Sequence, residues 1–196
     1  MNNRLKVGIL VFNEVEVLDF AGPFEVFSLT KNGNDKLFEV ITIGETGEII
    51  SARNGLKILP TAILKDKFNL DILIIPGGYG AEEIEIKNKI VIDWIIEQKK
   101  KVKILASVCT GALLLAECGI LNNKKATTHW MDIDRLERDY PKIDVIRNKK
   151  FVDEGDILTS GGISAGINMS FHIVSRLFGV EIAKNTARKM EYDIEL

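Results

Sequence analysis

The chain has 196 residues, of which 46% are hydrophobic, and its 26 basic and 28 acidic side chains give a formal net charge of −2. This length fits one domain that buries about 70% of the surface of its unfolded chain, and the composition excludes a disordered protein. The balanced charge gives no electrostatic case for binding nucleic acid or a membrane. The apolar run at residues 7–12 is too short for a signal peptide or a spanning helix, so we expect a cytoplasmic protein.

Strand-like and helix-like runs alternate along the chain. The predicted strands are residues 6–12, 38–43, 56–59, 71–75, 102–108, 125–130, 143–146 and 156–159, and the predicted helices are residues 22–29, 89–101, 112–117, 131–140, 164–178 and 180–190. Pro23 is expected at or near the first turn of its helix. This alternation predicts an α/β fold, with a doubly wound, flavodoxin-like, mostly parallel sheet and helices on both faces. No linker, repeat or low-complexity tract divides the chain, so we expect a single domain over residues 1–196.

Cys109 lies between an apolar strand-like run that ends at Val108 and a helix-like run that begins at Ala112. A sharp strand-to-helix turn of this kind is typical of a nucleophile elbow, which exposes a reactive side chain above the sheet. The N–H groups at the start of a helix lower the pKa of a thiol. The position therefore favours a nucleophilic cysteine over the small buried residue that cysteine usually is.

The second cysteine, Cys118, is interpreted as structural packing. It lies nine residues after Cys109 on the same predicted helix, and a rise of 1.5 Å per residue puts the two about 13 Å apart, beyond disulfide reach. With two cysteines, two histidines and no CxxC motif, a zinc site is not expected. We expect neither a metal nor another cofactor.

Two further segments follow predicted strands and point to the same edge of the sheet, where ligands bind in open α/β folds. Gly77 and Gly78 follow the strand at residues 71–75. Paired glycines let the backbone turn tightly and aim N–H groups at an anion. The N–H groups of Gly78 and Thr110 are therefore candidates for an oxyanion hole.

Asp19 is a lone acid among apolar neighbours, just before a predicted helix. One interpretation is a helix N-cap, a position that aspartate fills well. In the other, Asp19 faces Cys109. A carboxylate and a thiolate at close range are not both charged, so the pKa of the carboxyl would rise and Asp19 would be a general acid beside an ionised thiol.

Three residues are assigned to the lining of the same pocket: Gly77, His129 and Ile163. His129 follows the elbow helix, and either forms an activating pair with Cys109 or is a structural residue. Ile163 and the apolar side chains of the predicted helix at residues 164–178 are expected to lie mostly in the core.

These segments together resemble the ThiJ/PfpI superfamily, within the class I glutamine amidotransferase-like fold. The resemblance covers nearly the whole chain, and it rests on LDFAGPFE at residues 18–25, IPGG at 75–78, SVCTGA at 107–112, ATTHW at 126–130 and TSGGISAG at 159–166. Within the superfamily, the pattern is similar to that of isonitrile hydratases and of the ligand-binding halves of certain AraC-like regulators.

The resemblance implies a role for each matching residue. Cys109 would be the nucleophile and Asp19 its acid partner, the Gly78 and Thr110 amides would be the oxyanion donors, and His129 would lie near the cysteine. It also implies a homodimer that pairs near the site. Protease-like members have histidine where this chain has Thr110, and many stress-response members have glutamate where it has Asp19. These departures argue against a protease and against a glyoxalase.

The function expected from the resemblance is that of a lyase: an isonitrile hydratase, which adds water to an isonitrile to give an N-substituted formamide. The alternatives are a glyoxalase-type or amidase-type hydrolase of the same superfamily, and a sensor of a ligand or an oxidant that does no catalysis. The AraC-like relatives carry a C-terminal helix-turn-helix domain, which we do not expect in this chain. The expected partners are a small-molecule substrate and a second copy of the chain.

Overall fold

Short strands and helices alternate through residues 4–194, which are the residues that the computed structural model describes. The strands are β1 (Leu5–Leu10), β2 (Lys31–Asn32), β3 (Asp35–Lys36), β4 (Phe38–Gly44), β5 (Ile50–Ser51), β6 (Lys57–Ile58), β7 (Ala62–Ile63), β8 (Ile72–Ile75), β9 (Ile104–Ser107), β10 (Lys125–Ala126), β11 (Asp144–Val145), β12 (Phe151–Asp153) and β13 (Ile157–Ser160). The α-helices are α1 (Val17–Leu29), α2 (Lys89–Lys99), α3 (Gly111–Glu117), α4 (Ile133–Asp139), α5 (Ala165–Phe178) and α6 (Val180–Lys189).

The central sheet has seven strands in the order β12-β13-β9-β8-β1-β4-β7. Its neighbouring strands are parallel, except that the edge strand β12 runs antiparallel to β13. The inner strands β8 and β9 are buried along their whole length, as expected for strands covered on both faces. The chain winds outward from β1 to β4 and β7, and then returns to β8 on the other side of β1. This reversal places a crevice at the carboxyl ends of β1 and β8.

The helices cover both faces of the sheet. Helices α1, α5 and α6 pack against one another, and α2 packs against α3. Phe27, Phe38 and Phe178 join α1, β4 and α5 by two edge-to-face contacts, with ring centroids 5.0 and 5.4 Å apart. The predicted doubly wound α/β fold is thereby confirmed. Within residues 4–194, none of the helices combines the length and apolar character that crossing a membrane requires.

Helix α1 begins at Val17, five residues before the start predicted from Pro23. Pro23 lies inside this helix and not in its first turn, so the predicted position of the proline is wrong. A proline inside a helix removes one intrahelical hydrogen bond, and packing of the apolar face has to compensate for this loss. The earlier start places Asp19 inside the first turn, where its side chain is buried.

Several predicted elements are shorter in the structure, and some were missed. Only Lys125–Ala126 of the strand predicted at 125–130 is extended, and Trp130–Asp132 forms a 3-10 turn. The strand predicted at 56–59 is reduced to β6, which pairs with β5 outside the central sheet. The missed strands β2, β3, β7 and β12 have two or three residues each. Such runs are too short to show a hydrophobic period.

Candidate active site

Cys109 lies in the predicted strand-to-helix turn, between the end of β9 and the start of α3. Its backbone has a left-handed φ of 56°, which is uncommon for a residue other than glycine. Its N–H donates to the carbonyl of Gly161 at 3.1 Å, and its own carbonyl accepts from Thr128 Oγ1 at 2.8 Å. These two bonds hold the strained turn in place from the neighbouring strand and loop. The residue is only 6% exposed.

Asp19 is fully buried in the first turn of α1 and does not cap the helix. The N-cap is Glu16, which makes no side-chain capping bond, so the N-cap interpretation of Asp19 is wrong. Asp19 Oδ2 accepts the N–H of Gly77 at 3.0 Å, whereas Oδ1 has no hydrogen-bond partner among residues 4–194. A buried carboxylate oxygen without a partner favours the protonated carboxyl.

The environment raises the pKa of Asp19 from 3.8 to about 7. Burial is the main cause, and the negative charge of Glu16 adds to it. The N–H of Gly77, the side chain of Cys109 and the N–H of Ile163 act in the opposite direction and lower the pKa. Asp19 is therefore a carboxyl group that gains and loses its proton near neutral pH, next to the cysteine.

The Cys109 thiol has a pKa well above its ordinary value. Burial is the main cause, and the neighbouring Asp19 carboxylate adds to it. The N–H groups of Thr110 and Ile163 and the hydroxyl of Thr110 lie close enough to lower the pKa, but they are outweighed. The predicted lowering of the thiol pKa is therefore wrong for the free protein. Because the two acids interact strongly, the proton lost near pH 7 belongs to the Asp19–Cys109 pair.

Gly77 and Gly78 come within contact of Thr110, as their predicted positions on one edge of the sheet require. The N–H of Gly78 donates to Thr110 Oγ1 at 2.9 Å, so this predicted oxyanion donor is already engaged in the free protein. A Cβ at Gly77 would lie 2.5 Å from the Thr110 nitrogen. Gly78 has a φ of 112°, which residues with a side chain rarely adopt. The close approach to Thr110 explains the glycine at position 77, and the positive φ explains the glycine at position 78.

Ile163 contributes its backbone to the site, a role that sequence reasoning missed. Its N–H lies near both Asp19 and Cys109 and lowers the pKa of each. The φ of Ile163 is 51°, an outlier for a β-branched residue. Its side chain is 39% exposed, so the expectation that it lies in the core is wrong. The preceding Gly161 and Gly162 are the sequence feature that marks this unusual turn.

His129 does not pair with Cys109. Among residues 4–194, no hydrogen bond joins His129 to Cys109, and Nδ1 of His129 accepts the N–H of Met131 at 3.4 Å. The ring lies against Gly162, where an added Cβ would fall 2.0 Å from Cδ2. His129 therefore packs on the turn at Gly162, and its neighbour Thr128 makes the hydrogen bond with the elbow.

The remaining cysteine lies outside the site. Cys118 follows α3, and its thiol donates to the carbonyl of Ile92 at 3.6 Å. Burial, with smaller effects of Glu117 and Asp93, raises its pKa to about 12. Within the described part of the chain, no cluster of three histidine, cysteine, aspartate or glutamate side chains is arranged to hold a metal ion.

Comparison with known proteins identifies a family and individual relatives. The model of the DJ-1/PfpI family matches residues 5–176. An isonitrile hydratase from Pseudomonas putida is 32% identical over 189 residues, which are 96% of this chain and 78% of that protein. The HTH-type transcriptional regulator CdhR from Pseudomonas aeruginosa is 24% identical over 167 residues, and this chain spans about half (49%) of its length.

Solved structures show the same fold. The crystal structure of a ThiJ/PfpI family protein from Pseudomonas syringae superposes with a TM-score of 0.86. The two sequences are 24% identical, and the match covers 99% of this chain and 77% of the other. At this level of identity, the likeness supports the fold alone.

Proposed function

The chain belongs to the DJ-1/PfpI family, and from this premise we propose that it is a cysteine-dependent hydratase that converts an isonitrile and water into an N-substituted formamide. The proposal is carried by one observation: a buried carboxyl with a pKa of about 7, at Asp19, adjoins the Cys109 thiol. It is further supported by the 32% identity to an isonitrile hydratase over 96% of the chain.

In the first step, the Cys109 thiolate attacks the terminal carbon of the isonitrile. The pKa of the thiol lies well above that of Asp19, so in the free protein the sulfur holds the remaining proton of the pair. Transfer of this proton to the Asp19 carboxylate gives the reactive thiolate, which the N–H groups of Thr110 and Ile163 near the sulfur stabilise. Asp19 delivers this proton to the same carbon as the carbon–sulfur bond forms, which gives a thioimidate. General acid catalysis of this kind contributes about 10²–10⁴-fold, and it is most effective when the pKa lies near the working pH.

In the second step, water adds to the thioimidate carbon. Asp19, now a carboxylate, takes one proton from the water and passes it to the nitrogen, which gives a tetrahedral intermediate with a hydroxyl group. Asp19 then accepts the hydroxyl proton as the carbon–sulfur bond breaks. The N-substituted formamide leaves, and the Cys109 thiolate and the protonated Asp19 are regenerated. Every proton is accounted for without a cofactor.

A test of this activity uses the purified protein, cyclohexyl isocyanide and gas chromatography of N-cyclohexylformamide. Cys109→Ala is expected to abolish turnover, and Asp19→Asn to lower kcat by about 10²–10⁴-fold. Cys118→Ala is the matched control, because it removes a thiol outside the site, and it should keep wild-type activity. Formamide production no higher than that of Cys109→Ala would contradict the proposal.

A second candidate function is ligand sensing without turnover, which the 24% identity to the regulator CdhR favours. Binding of an isonitrile or formamide with no product, and with equal affinity in Asp19→Asn, would support it. A redox sensor is less consistent with the raised pKa of Cys109, since the thiolate is the form that oxidants attack. Conversion of methylglyoxal to lactate would instead indicate the glyoxalase-type hydrolase.

We also propose that the protein acts as a homodimer of single-domain chains in the cytoplasm. The dimer is supported by exposed apolar side chains near the site, at Leu18 and Ile163. The cytoplasm is supported by the free thiols of Cys109 and Cys118. Light scattering after size-exclusion chromatography measures the mass of the particle, and a mass equal to one chain of 21.9 kDa would contradict the dimer.

A further inference from the structure

We infer that a cation-lined groove beside the elbow binds the anionic group of a substrate that carries a carboxylate. The groove has a volume of about 530 Å³. It lies between the segment that follows β10 and the turn that precedes β12. The inference rests on the proposed function, because it assigns a substrate class to the same site.

The floor of the groove is continuous with the elbow. Thr128 lines the groove and donates its hydroxyl to the Cys109 carbonyl, and Gly161 lines it and accepts the Cys109 N–H. Gly162 also lines it and directly precedes Ile163, whose N–H lies beside the Cys109 sulfur. The groove and the elbow therefore share the backbone of the Thr128 and Gly161–Gly162 segments, so a substrate seated in the groove lies beside the turn that carries the thiol.

The charges that line the groove are all positive. Arg147, Lys149 and Lys150 line it, and no acidic side chain does, although acids outnumber bases in the whole chain. Two other cavities differ: the one beside the ends of β1 and β4 is lined by Glu45, Glu48 and Glu85, and the one beside α2 by both signs. A cavity between β2 and α6 is also lined by cations alone, at Lys31 and Lys189, but it does not share residues with the elbow. The positive charge of the groove matters because the groove adjoins the segments that hold the nucleophile.

Two of these cations are free to bind an anion. Arg147 is neutralised by Asp134 and Glu137, with nitrogen–oxygen distances of 2.8 and 2.6 Å. Lys149 and Lys150 are exposed, and neither has an ion-pair partner within residues 4–194. Arg147 therefore anchors the turn, while two unpaired ammonium groups remain for a ligand.

The turn that carries the lysines is held in a defined position. The N–H of Gly161 donates to the carbonyl of Lys150 at 2.8 Å, which ties the turn to the loop after β13. Asn148 has a φ of 58°, and this left-handed residue turns the chain before β12. The backbone that carries the two lysines is consequently fixed beside the groove that they line.

The opposite wall supplies an aromatic surface. Trp130 lines the groove and is 77% exposed, so its indole is available to a ligand. A few charged groups beside an apolar wall are typical of sites that bind small organic anions. An isonitrile group is small and uncharged, so recognition of a carboxylate elsewhere in the substrate would provide specificity. The class that fits is an aryl isonitrile with a carboxylate.

The inference is tested with two substrates, 4-isocyanobenzoate and its methyl ester, which differ in charge. The wild-type protein should have the lower KM for the carboxylate. In Lys149→Gln/Lys150→Gln, the KM for the carboxylate should rise by about tenfold, with kcat and the KM for the ester unchanged. The matched control is Lys57→Gln/Lys65→Gln, which removes two exposed charges far from the groove. Equal effects on the two substrates, or no effect, would overturn the inference.

A binding measurement separates this inference from the proposed activity. The probes are 4-formamidobenzoate and its methyl ester, which need no turnover, and Trp94→Phe leaves Trp130 as the only tryptophan for fluorescence. The carboxylate should bind more tightly than the ester, and added salt or loss of both lysines should remove the difference. If this holds while isonitrile turnover is absent, the anion site stands and the hydratase proposal fails. Equal binding of the two probes overturns the anion site. Calorimetry with the wild-type tryptophans repeats the comparison.

Discussion

The N–H of Gly77 donates to Asp19 Oδ2 at 3.0 Å and orients the carboxyl, while Oδ1 is left without a hydrogen bond. This bond joins α1, which follows β1, to the loop that follows β8. The two strands are neighbours at the point where the winding of the sheet reverses. The topology of the sheet therefore brings an acid from one segment to a cysteine from another, and one backbone amide fixes the orientation of the acid.

The stability of the protein should depend on pH through Asp19. The folded state raises the pKa of Asp19 from 3.8 to about 7, because the charged carboxyl is buried. The stabilisation by the protonated group is complete below about pH 4 and is lost as the pH rises to about 7. Asp19→Asn should therefore gain stability relative to wild type by about 3 kcal/mol between about pH 5 and pH 8, as measured by urea unfolding.

An acid with the opposite shift provides the control for this measurement. The pKa of Asp71 is lowered overall: burial raises it, and Lys103 and the N–H of Lys6 more than offset that effect. Its stabilisation is present above the unfolded pKa and is lost only as the pH falls towards the folded one. Asp71→Asn should therefore lose stability by an amount that stays constant between about pH 5 and pH 8. A pH-independent effect of Asp19→Asn would contradict the raised pKa.

The thiol of Cys109 should react slowly with iodoacetamide near neutral pH. Burial and the Asp19 carboxylate hold its pKa above the ordinary value, and the thiolate is the reactive form. In a Cys118→Ala background, Asp19→Asn should speed alkylation at about pH 8 by about tenfold for each unit that the pKa falls. The exposed Asp144→Asn is the control and should have no effect. An unchanged rate in Asp19→Asn would show that the carboxylate does not act on the thiol.

The hydroxyl of Thr110 should protect the amide of Gly78 from hydrogen exchange. The buried N–H of Gly78 donates to Thr110 Oγ1, and no other acceptor replaces it within residues 4–194. Thr110→Val leaves this N–H unpaired, which costs about 1–3 kcal/mol. NMR exchange should show loss of protection at Gly78 in Thr110→Val and retention in Thr110→Ser. Equal protection in both variants would exclude this role of the hydroxyl.

The sheet could be predicted because its inner strands are buried on both faces and are therefore continuous apolar runs, as at residues 72–75. The start of α1 was missed because Pro23 is normally read as a first-turn residue, whereas tertiary packing tolerates it inside the helix. Edge strands such as β12 depend on pairing between distant segments, and three residues carry no periodic pattern.

The sequence predicted which residues form the site better than it predicted their pKa values. Cys109, Asp19 and Thr110 could be assigned to one edge of the sheet because each follows a parallel strand. The pKa of the thiol depends instead on burial and on the distance to Asp19, neither of which a local motif reveals. The contribution of the Ile163 N–H to the site could not be predicted for a similar reason. The identity of a residue does not show where its backbone N–H points.

A side chain at Gly77 should disrupt the site, whereas one at Gly161 should be tolerated. A Cβ at Gly77 would lie 2.5 Å from the Thr110 nitrogen, a backbone atom, so one of the two segments would have to shift. We expect such a shift to disturb the bond from the Gly77 N–H to Asp19. A Cβ at Gly161 would come no closer than 3.6 Å to any neighbour, which is ordinary contact. Gly77→Ala should therefore lower the free energy of unfolding by about 1–3 kcal/mol. It should also lower kcat for the isonitrile about 100-fold, because catalysis is sensitive to misplacement by about 1 Å.

The matched control, Gly161→Ala, should keep the stability and the kcat near wild type, since the N–H and carbonyl of residue 161 still bond to Lys150 and Cys109. Urea unfolding and the formamide assay measure the two effects separately. If Gly77→Ala retained full activity, the close approach of this loop to the elbow would not be what positions the acid.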